Sequence, residues 1–456
     1  MPSAVEPVAA ESVAVEAPDT VQAGLTAPTA KYRDVLGVGE FRAIFVAHIV
    51  SMLGNVVAAV ALTVLVYQQT KSPALAASVM ALSFLPYLIG GALLGAAADR
   101  LPARRVLVGC DLASTALVAS MTIPGMPVPG LLGLLFVNGL IAPVYQGVRS
   151  AVLPELLPPG PRYVLGRSLM RMVAQSAQIV GYGAGGLLLA VLSPRWALAI
   201  DAFSLAASAG VLRLGTIPRP AKAAGNGSMA RDSLRGLREI LGSRQIRRIL
   251  LFSWLVPACS VAPEALAAPY ATHIGQPARA AGFLLMGIPA GTVAADVIAA
   301  RLLPFRLQRR VIVPAGLLVF APLGAFAFQP GLTPALGLLL VSGLGFAWGA
   351  GVDRLLVETA PATLRNRVLA LATAGLMFTQ GVGFAFWGIA AQFAPPAVVI
   401  CAAAAAGSLV VVTLRPRRVD VISDTSRCVH PRLTCAHPKC RLSTATAALN
   451  NETEQE

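Results

Sequence analysis

From residue 41 onward the chain runs through apolar stretches of roughly 18–25 residues, each about long enough to cross 30 Å of hydrocarbon as a helix. Twelve can be placed, at about 41–67, 73–97, 105–123, 128–149, 163–192, 196–214, 249–271, 278–302, 311–328, 332–352, 366–391 and 396–414. Lipid offers the backbone no hydrogen-bond partner, so each stretch is expected to satisfy its own N–H and C=O groups as a helix. Only 12% of the 456 residues are charged, and mean hydropathy is +0.71. A soluble domain carries about twice that share of charge. The fold class expected is an all-α integral membrane protein of twelve transmembrane helices.

The charges then set an orientation. With the N-terminus in the cytoplasm, all of the 36 Lys and Arg except Lys71, Arg195 and Arg279 fall on the cytoplasmic side. Positively charged residues concentrate there in membrane proteins. Both termini are therefore expected inside a plasma (inner) membrane. The formal net charge of +15 is read as a topology signal, not as a nucleic-acid surface. Cys110, Cys259 and Cys401 lie in apolar runs and Cys428, Cys435 and Cys440 in the tail, a pattern unlike an extracellular disulfide scaffold.

Residues 1–30 are low-complexity Ala, Val, Pro and Glu with no basic residue and no continuous apolar run. That is not a secretory signal. Residues 1–40 are expected as a disordered cytoplasmic tail, 41–214 as a first six-helix bundle and 249–414 as a second. Between them, 215–248 begins with Pro, Gly and Ser and becomes a basic amphipathic segment with Leu234, Leu237 and Leu241 on one face. Residues 415–456 form a cytoplasmic C-terminal tail. Ala98-Asp-Arg-Leu-Pro-Ala-Arg-Arg-Val after the second span repeats weakly as Ala300-Arg-Leu-Leu-Pro-Phe-Arg-Leu-Gln-Arg-Arg-Val after the eighth. Two pseudo-symmetric bundles of this kind point to a duplicated transporter.

Gly95-Ala-Ala-Ala-Asp99-Arg100-Leu-Pro-Ala-Arg104-Arg105 resembles the loop signature of the major facilitator superfamily. Ser51-Met-Leu-Gly54-Asn55, Leu85-Pro86-Tyr87, Leu153-Pro154-Glu155-Leu156, Ala199-Ile200-Asp201 and Glu264-Ala-Leu-Ala-Ala-Pro269-Tyr270 are similar to its bacterial efflux branch, which includes siderophore-type exporters (transmembrane secretion effectors). The resemblance covers about 40–414. It implies that Gly95, Asp99, Arg100, Arg104 and Arg105 form a cytoplasmic gating loop, latching the halves in one state and releasing them in the other. Asp99 is also placed to cap the next helix, where negative charge is favoured.

Three departures from the better-known antiporter pattern stand out. Gly181-Tyr-Gly183-Ala-Gly185-Gly186 carries Tyr182 where a proline is usual. Its glycines, Gly181, Gly183, Gly185 and Gly186, are expected to let helices approach closely. The fourth span has no mid-membrane arginine, Arg149 being near its cytoplasmic end. Asn55 stands where some relatives have an acidic residue.

Ionisable residues inside spans are costly unless paired or wet, so they are functional candidates. Asp111 ranks first for proton coupling, followed by Asp201 and Glu264. Asp201 also has two structural roles open to it, pairing with Arg195 or helix packing. Asp296 is expected to pair with Arg301, and His48 to hydrogen-bond between helices. Asp353, Arg354 and Glu358 read as an interfacial charge cluster. Span positions place Phe84, Tyr87, Trp254, Phe378 and Trp387 around a cavity between the halves, an apolar lining with few charges.

Cys428, His430, Cys435, His437 and Cys440 match no standard zinc module, and no metal site is assigned to them. No phosphate-binding loop, metalloprotease helix or nucleophile elbow is present. The chain is expected to be no enzyme and to use no cofactor. The leading reading is a monomeric secondary transporter in the lipid bilayer, a proton-coupled exporter of a small amphipathic or hydrophobic compound by alternating access. A carrier working in the uptake or facilitative direction and a non-transporting sensor are the alternatives.

Overall fold

The computed structural model describes residues 32–86, 101–157, 161–218, 242–302, 305–360 and 364–415. All the regular structure among them is helical. A short α1 (Tyr32–Leu36) precedes α2 (Gly39–Thr70) and α3 (Pro73–Phe84). Next come α4 (Ala103–Met121), α5 (Val128–Leu156), α6 (Pro161–Val191) and α7 (Pro194–Gly215). The seventh expected span is broken into α8 (Arg244–Ser260), α9 (Ala262–Ala265) and α10 (Ala267–His273). After a 3₁₀ turn, α11 (Ala281–Leu302) is followed by α12 (Phe305–Gly324). The tenth span is α13 (Leu332–Leu344) and α14 (Trp348–Thr359), joined by a 3₁₀ turn. The last two helices are α15 (Arg365–Ala390) and α16 (Pro396–Thr413).

The described part of each of the twelve apolar stretches is largely helical, and among the described residues nine helices are long and apolar enough to cross a membrane. The described part of α3 is a shorter apolar helix. Two different features separate the others from the nine: α4 carries Arg104, Arg105 and Asp111, whereas the uncharged later part of α6 is made less apolar by Gln175, Gln178 and its glycines. Local chemistry starts and stops these elements. Ser72 accepts a hydrogen bond from the Leu75 N–H at 3.3 Å at the start of α3, and Ser243 accepts from Ile246 at 3.4 Å at the start of α8. Pro73, Pro194 and Pro396 occupy first-turn positions where no donor is needed. Pro257 and Pro263 remove backbone donors from the seventh span, which is why it breaks.

The packing repeats between the halves. In the first, α2 packs on α7 and α6, α4 on α7 and α5, and α3 on α5. In the second, the equivalent pairs recur: α8 on α16 and α15, α12 on α16 and α13, and α11 on α13. Across the halves, α3 packs on α15 and α6 on α11. Exchange of the halves turns one of these pairs into the other, which is the signature of a pseudo-twofold axis. At the α6–α11 crossing, a Cβ on Gly282 would lie 2.6 Å from Gly186 N and 2.7 Å from Tyr182 O. Only hydrogen fits there.

Two side-chain hydrogen bonds join the halves among the described residues, and both lie at the same end. Tyr67 Oη is 3.0 Å from Thr272 Oγ1, and Gln392 Nε2 donates to Ser72 Oγ at 3.1 Å. A large apolar cluster runs through the second half and includes Val57, Val60, Ala77 and Met80 of the first. The first half has two further clusters. One gathers Ile44, Ala47, Leu107 and Val148, the other Leu62, Val118, Leu131 and Leu198. Polar side chains occupy the layer between them.

Candidate functional site: a polar cavity inside the first half

That layer lines a half-open cavity of about 110 Å³ between α2, α4, α5 and α7. The cavity has room for several water molecules but is well below the roughly 300–1,000 Å³ of a drug-sized ligand site. Each helix contributes from one face. His48, Ser51 and Asn55 sit at i, i+3 and i+7 on α2, and Asn138, Tyr145 and Arg149 at i, i+7 and i+11 on α5. Cys110, Asp111 and Ser114 come from α4. Helical spacing stacks each set over successive turns.

Asp111 is 4% exposed. Ser208 on α7 donates its hydroxyl to Asp111 Oδ2 at 2.6 Å, the length of a charge-assisted O–H···O⁻ bond. A lone carboxylate in an apolar span would be strained by desolvation; here a hydroxyl and a polar cavity accommodate it. Opposite, Arg149 donates to His48 Nδ1 at 2.5 Å and to the Gln146 side-chain oxygen, and its guanidinium carbon lies 5.9 Å from the centroid of the Tyr145 ring. Because a guanidinium only donates, Nδ1 must accept, and a neutral His48 carries its proton on Nε2. That nitrogen is buried with no hydrogen-bond partner among the described residues. The cavity therefore holds one carboxylate, one permanent cation and one imidazole with a proton to give.

The remaining sequence candidates fall elsewhere. Asp201, 1% exposed, accepts from Ser204 Oγ at 3.3 Å and packs on Gly54, whose added Cβ would sit 2.5 Å from Asp201 Oδ1. Arg195 instead donates to the backbone oxygens of Ile123, at 2.6 Å, and Thr122. Of the two structural roles open to Asp201, the helix-packing one matches these contacts. Glu264 lies on α9, close enough to Tyr182 of α6 for the two to interact electrostatically across the halves. Arg354 Nε donates to Glu358 Oε1 at 2.6 Å, a half-exposed ion pair.

The four glycines of α6 divide between two neighbours: Gly181 and Gly185 face Val56 and Val60 of α2, Gly183 and Gly186 face Met286 and Gly282 of α11. Phe84 stacks on Phe384 across the halves at 5.5 Å. Trp254 Nε1 donates to Ala372 O at 3.0 Å and Trp387 Nε1 to Ala258 O at 2.9 Å, so both indoles brace α8 against α15. Phe378 is 39% exposed. In the loop motif, Arg104 donates to the Arg213 carbonyl at the end of α7. Gly95, Asp99, Arg100, Tyr87, the side chain of Arg301, Leu234, Leu237 and Leu241 lie outside the described residues, as do the Cys and His residues of the tail.

Sequence reasoning noted Arg149 only for its place near the cytoplasmic end of its span and did not select Ser208. The signal for Arg149 was the polar stripe Asn138–Tyr145–Arg149 on an otherwise apolar span; for Ser208, 97 positions from Asp111, there was none.

The sequence profile of the Major Facilitator Superfamily matches residues 44–354. The chain belongs to the Major Facilitator Superfamily. The architecture is that of a multi-span membrane transporter. A search of curated proteins finds the multidrug efflux pump Tap of Mycolicibacterium fortuitum, 28% identical over 352 residues, covering 73% of this chain and 84% of the pump. Tap of Mycobacterium tuberculosis (strain ATCC 25618 / H37Rv) is 27% identical over 350 residues, covering 72% and 82%. Among solved structures, a point mutant of the nucleoside transporter NupG superposes with a TM-score of 0.68 at 14% identity, over 82% of this chain and 98% of that one. The D-xylose-proton symporter gives 0.62 at 17% identity, over 84% and 97%. These two share the major facilitator fold.

Proposed function

We propose that the protein is a proton-coupled exporter of small amphipathic or hydrophobic organic compounds, working in the plasma membrane as a monomer with both termini in the cytoplasm. The observation that carries this reading is the 110 Å³ cavity with Asp111 and the Arg149–His48 pair inside one half. It is too small for an organic substrate and suited to water and a proton. Substrate and proton would then use separate places, the substrate moving between the halves past Phe84, Tyr87 and Phe378. Export as the direction rests on the resemblance to the Tap proteins, named multidrug efflux pumps.

In the mechanism, ionised Asp111 takes a proton from the outside-facing cavity. Neutralising it loosens the charge-assisted bond to Ser208, which joins α4 to α7, and weakens the field holding Arg149. With the halves tied through Tyr67–Thr272 and Ser72–Gln392 at the end placed outside by the charge distribution, the described conformation is read as open to the cytoplasm, the state in which Asp111 has released its proton inward. The loop of Gly95, Asp99, Arg100, Arg104 and Arg105 is proposed to latch the opposite, cytoplasmic end when the halves rock. Each inward proton contributes about 2.3 kcal/mol per 100 mV of potential. The test is efflux of a panel of fluorescent amphipathic dyes from energised cells expressing the protein. An uncoupler should abolish it; dye depletion that survives full uncoupling, or dye accumulation, would overturn the reading.

A further inference from the structure

A second hollow, of about 700 Å³, lies at the meeting of the α4 start and the α7 end. Three of its lining side chains are Arg104, Arg105 and Arg213; Val108, Gly109 and Leu112 continue it along α4. Among the described residues no acidic side chain lines it. Arg105 and Arg213 are exposed, and neither has an acidic partner among the described residues. Arg104 is held on the Arg213 carbonyl, which fixes one guanidinium at the rim. Pro102, the residue before α4, provides no side-chain cap for the first-turn N–H groups of that helix, and it too lines the hollow. Helix starts of this kind favour anions. From Arg105 to Leu112 the helix rises about 10 Å, the step from headgroup level into hydrocarbon. Leu112 is 51% and Leu214 89% exposed, and a Cβ on Gly109 would meet nothing within 4 Å.

We propose that this hollow binds one anionic phospholipid, the three guanidinium groups holding its phosphodiester and an acyl chain lying along Val108, Gly109 and Leu112. Guanidinium forks match phosphate oxygens in pairs, and basic pockets between helices on the cytoplasmic side suit such headgroups. A free phosphate would use the arginines but leave the apolar wall uncovered. The site shares Arg104 and Arg105 with the proposed cytoplasmic latch and rests on the proposed orientation, but its test reads lipid retention and melting, not transport.

The test uses the full chain purified in a neutral detergent, with native mass spectrometry and thermal denaturation. Phosphatidylglycerol should be retained and raise the melting midpoint, whereas phosphatidylcholine and glycerol 3-phosphate should do neither. Arg105→Gln and Arg213→Gln should each weaken retention about fivefold, the value of one juxtamembrane cation at an anionic surface. Arg244→Gln, which removes an exposed arginine at the start of α8, is the control and should leave retention unchanged. An equal loss in the Arg244 variant would mean diffuse surface charge in place of a site. Retention unaffected by Arg105→Gln and Arg213→Gln together, or a midpoint shift reproduced by glycerol 3-phosphate alone, would equally overturn the proposal.

Discussion

Gly282→Ala tests whether the α6–α11 crossing holds the halves together in this conformation. The added methyl would sit 2.6 Å from Gly186 N, 2.7 Å from Gly186 Cα and 2.7 Å from Tyr182 O, all backbone atoms. None can rotate away, so relief requires α6 and α11 to separate by about 1 Å. Overpacking of this sort costs about 1–3 kcal/mol. Because the strain belongs to one arrangement of the halves, it should shift their equilibrium by about 5–150-fold toward the other. Gly183→Ala is the internal control, since its Cβ would meet only the Met286 sulfur at 3.3 Å, the end of a flexible side chain. The assay is disulfide formation between cysteines introduced at Ser72 and Gln392, whose side chains bond across the closed end, in a chain whose native cysteines have been replaced by serine. Gly282→Ala should lower cross-linking below the parent, and Gly183→Ala should leave it near the parent. Parental cross-linking and melting in the Gly282 variant would refute the argument.

Three further outcomes are expected. Gly54→Ala drives a methyl into Asp201 Oδ1 and the Ser204 hydroxyl, so it should lower stability by about 1–3 kcal/mol, read as a drop in melting midpoint; an unchanged midpoint would show that α2 and α7 are not packed this tightly. Arg149→Lys keeps the charge but loses the fork that reaches His48 and Gln146 together, and initial efflux rates normalised to expression should fall about tenfold or more; parental rates would remove that fork from the mechanism. Membrane-impermeant thiol reagents should leave Cys428, Cys435 and Cys440 unlabelled in intact cells and label them after permeabilisation; labelling in intact cells would reverse the orientation.

The helical architecture was legible because lipid imposes one solution on a long apolar run, and the twelve stretches needed no partner to be recognised. The break in the seventh span was equally visible in Pro257 and Pro263. Asp111 stood out as an isolated carboxyl in the third span. Its environment was hidden, because Ser208 reaches it only through the packing of α4 on α7. Arg149 was read as lying near the cytoplasmic end of its span; what the sequence did not show is that it lines the cavity beside His48. An Asp201–Arg195 pair is disfavoured on helical geometry alone: six residues at 3.6 per turn put the two about 120° apart around α7 and almost two turns apart along it. Trp254 and Trp387 were placed by span position, but a buried indole N–H needs an acceptor, and the nearest carbonyls belong to the neighbouring helix.

The central claim is that the carboxyl of Asp111 couples proton entry to export. It is tested most directly by Asp111→Asn, which imitates the permanently protonated side chain, reconstituted in liposomes with an imposed proton gradient. The account predicts that dye no longer moves uphill, while exchange of labelled for unlabelled dye across the same membrane, which needs no proton movement, continues. Uphill, gradient-dependent transport by the Asp111→Asn protein would contradict it and pass the role to Glu264 or Asp201.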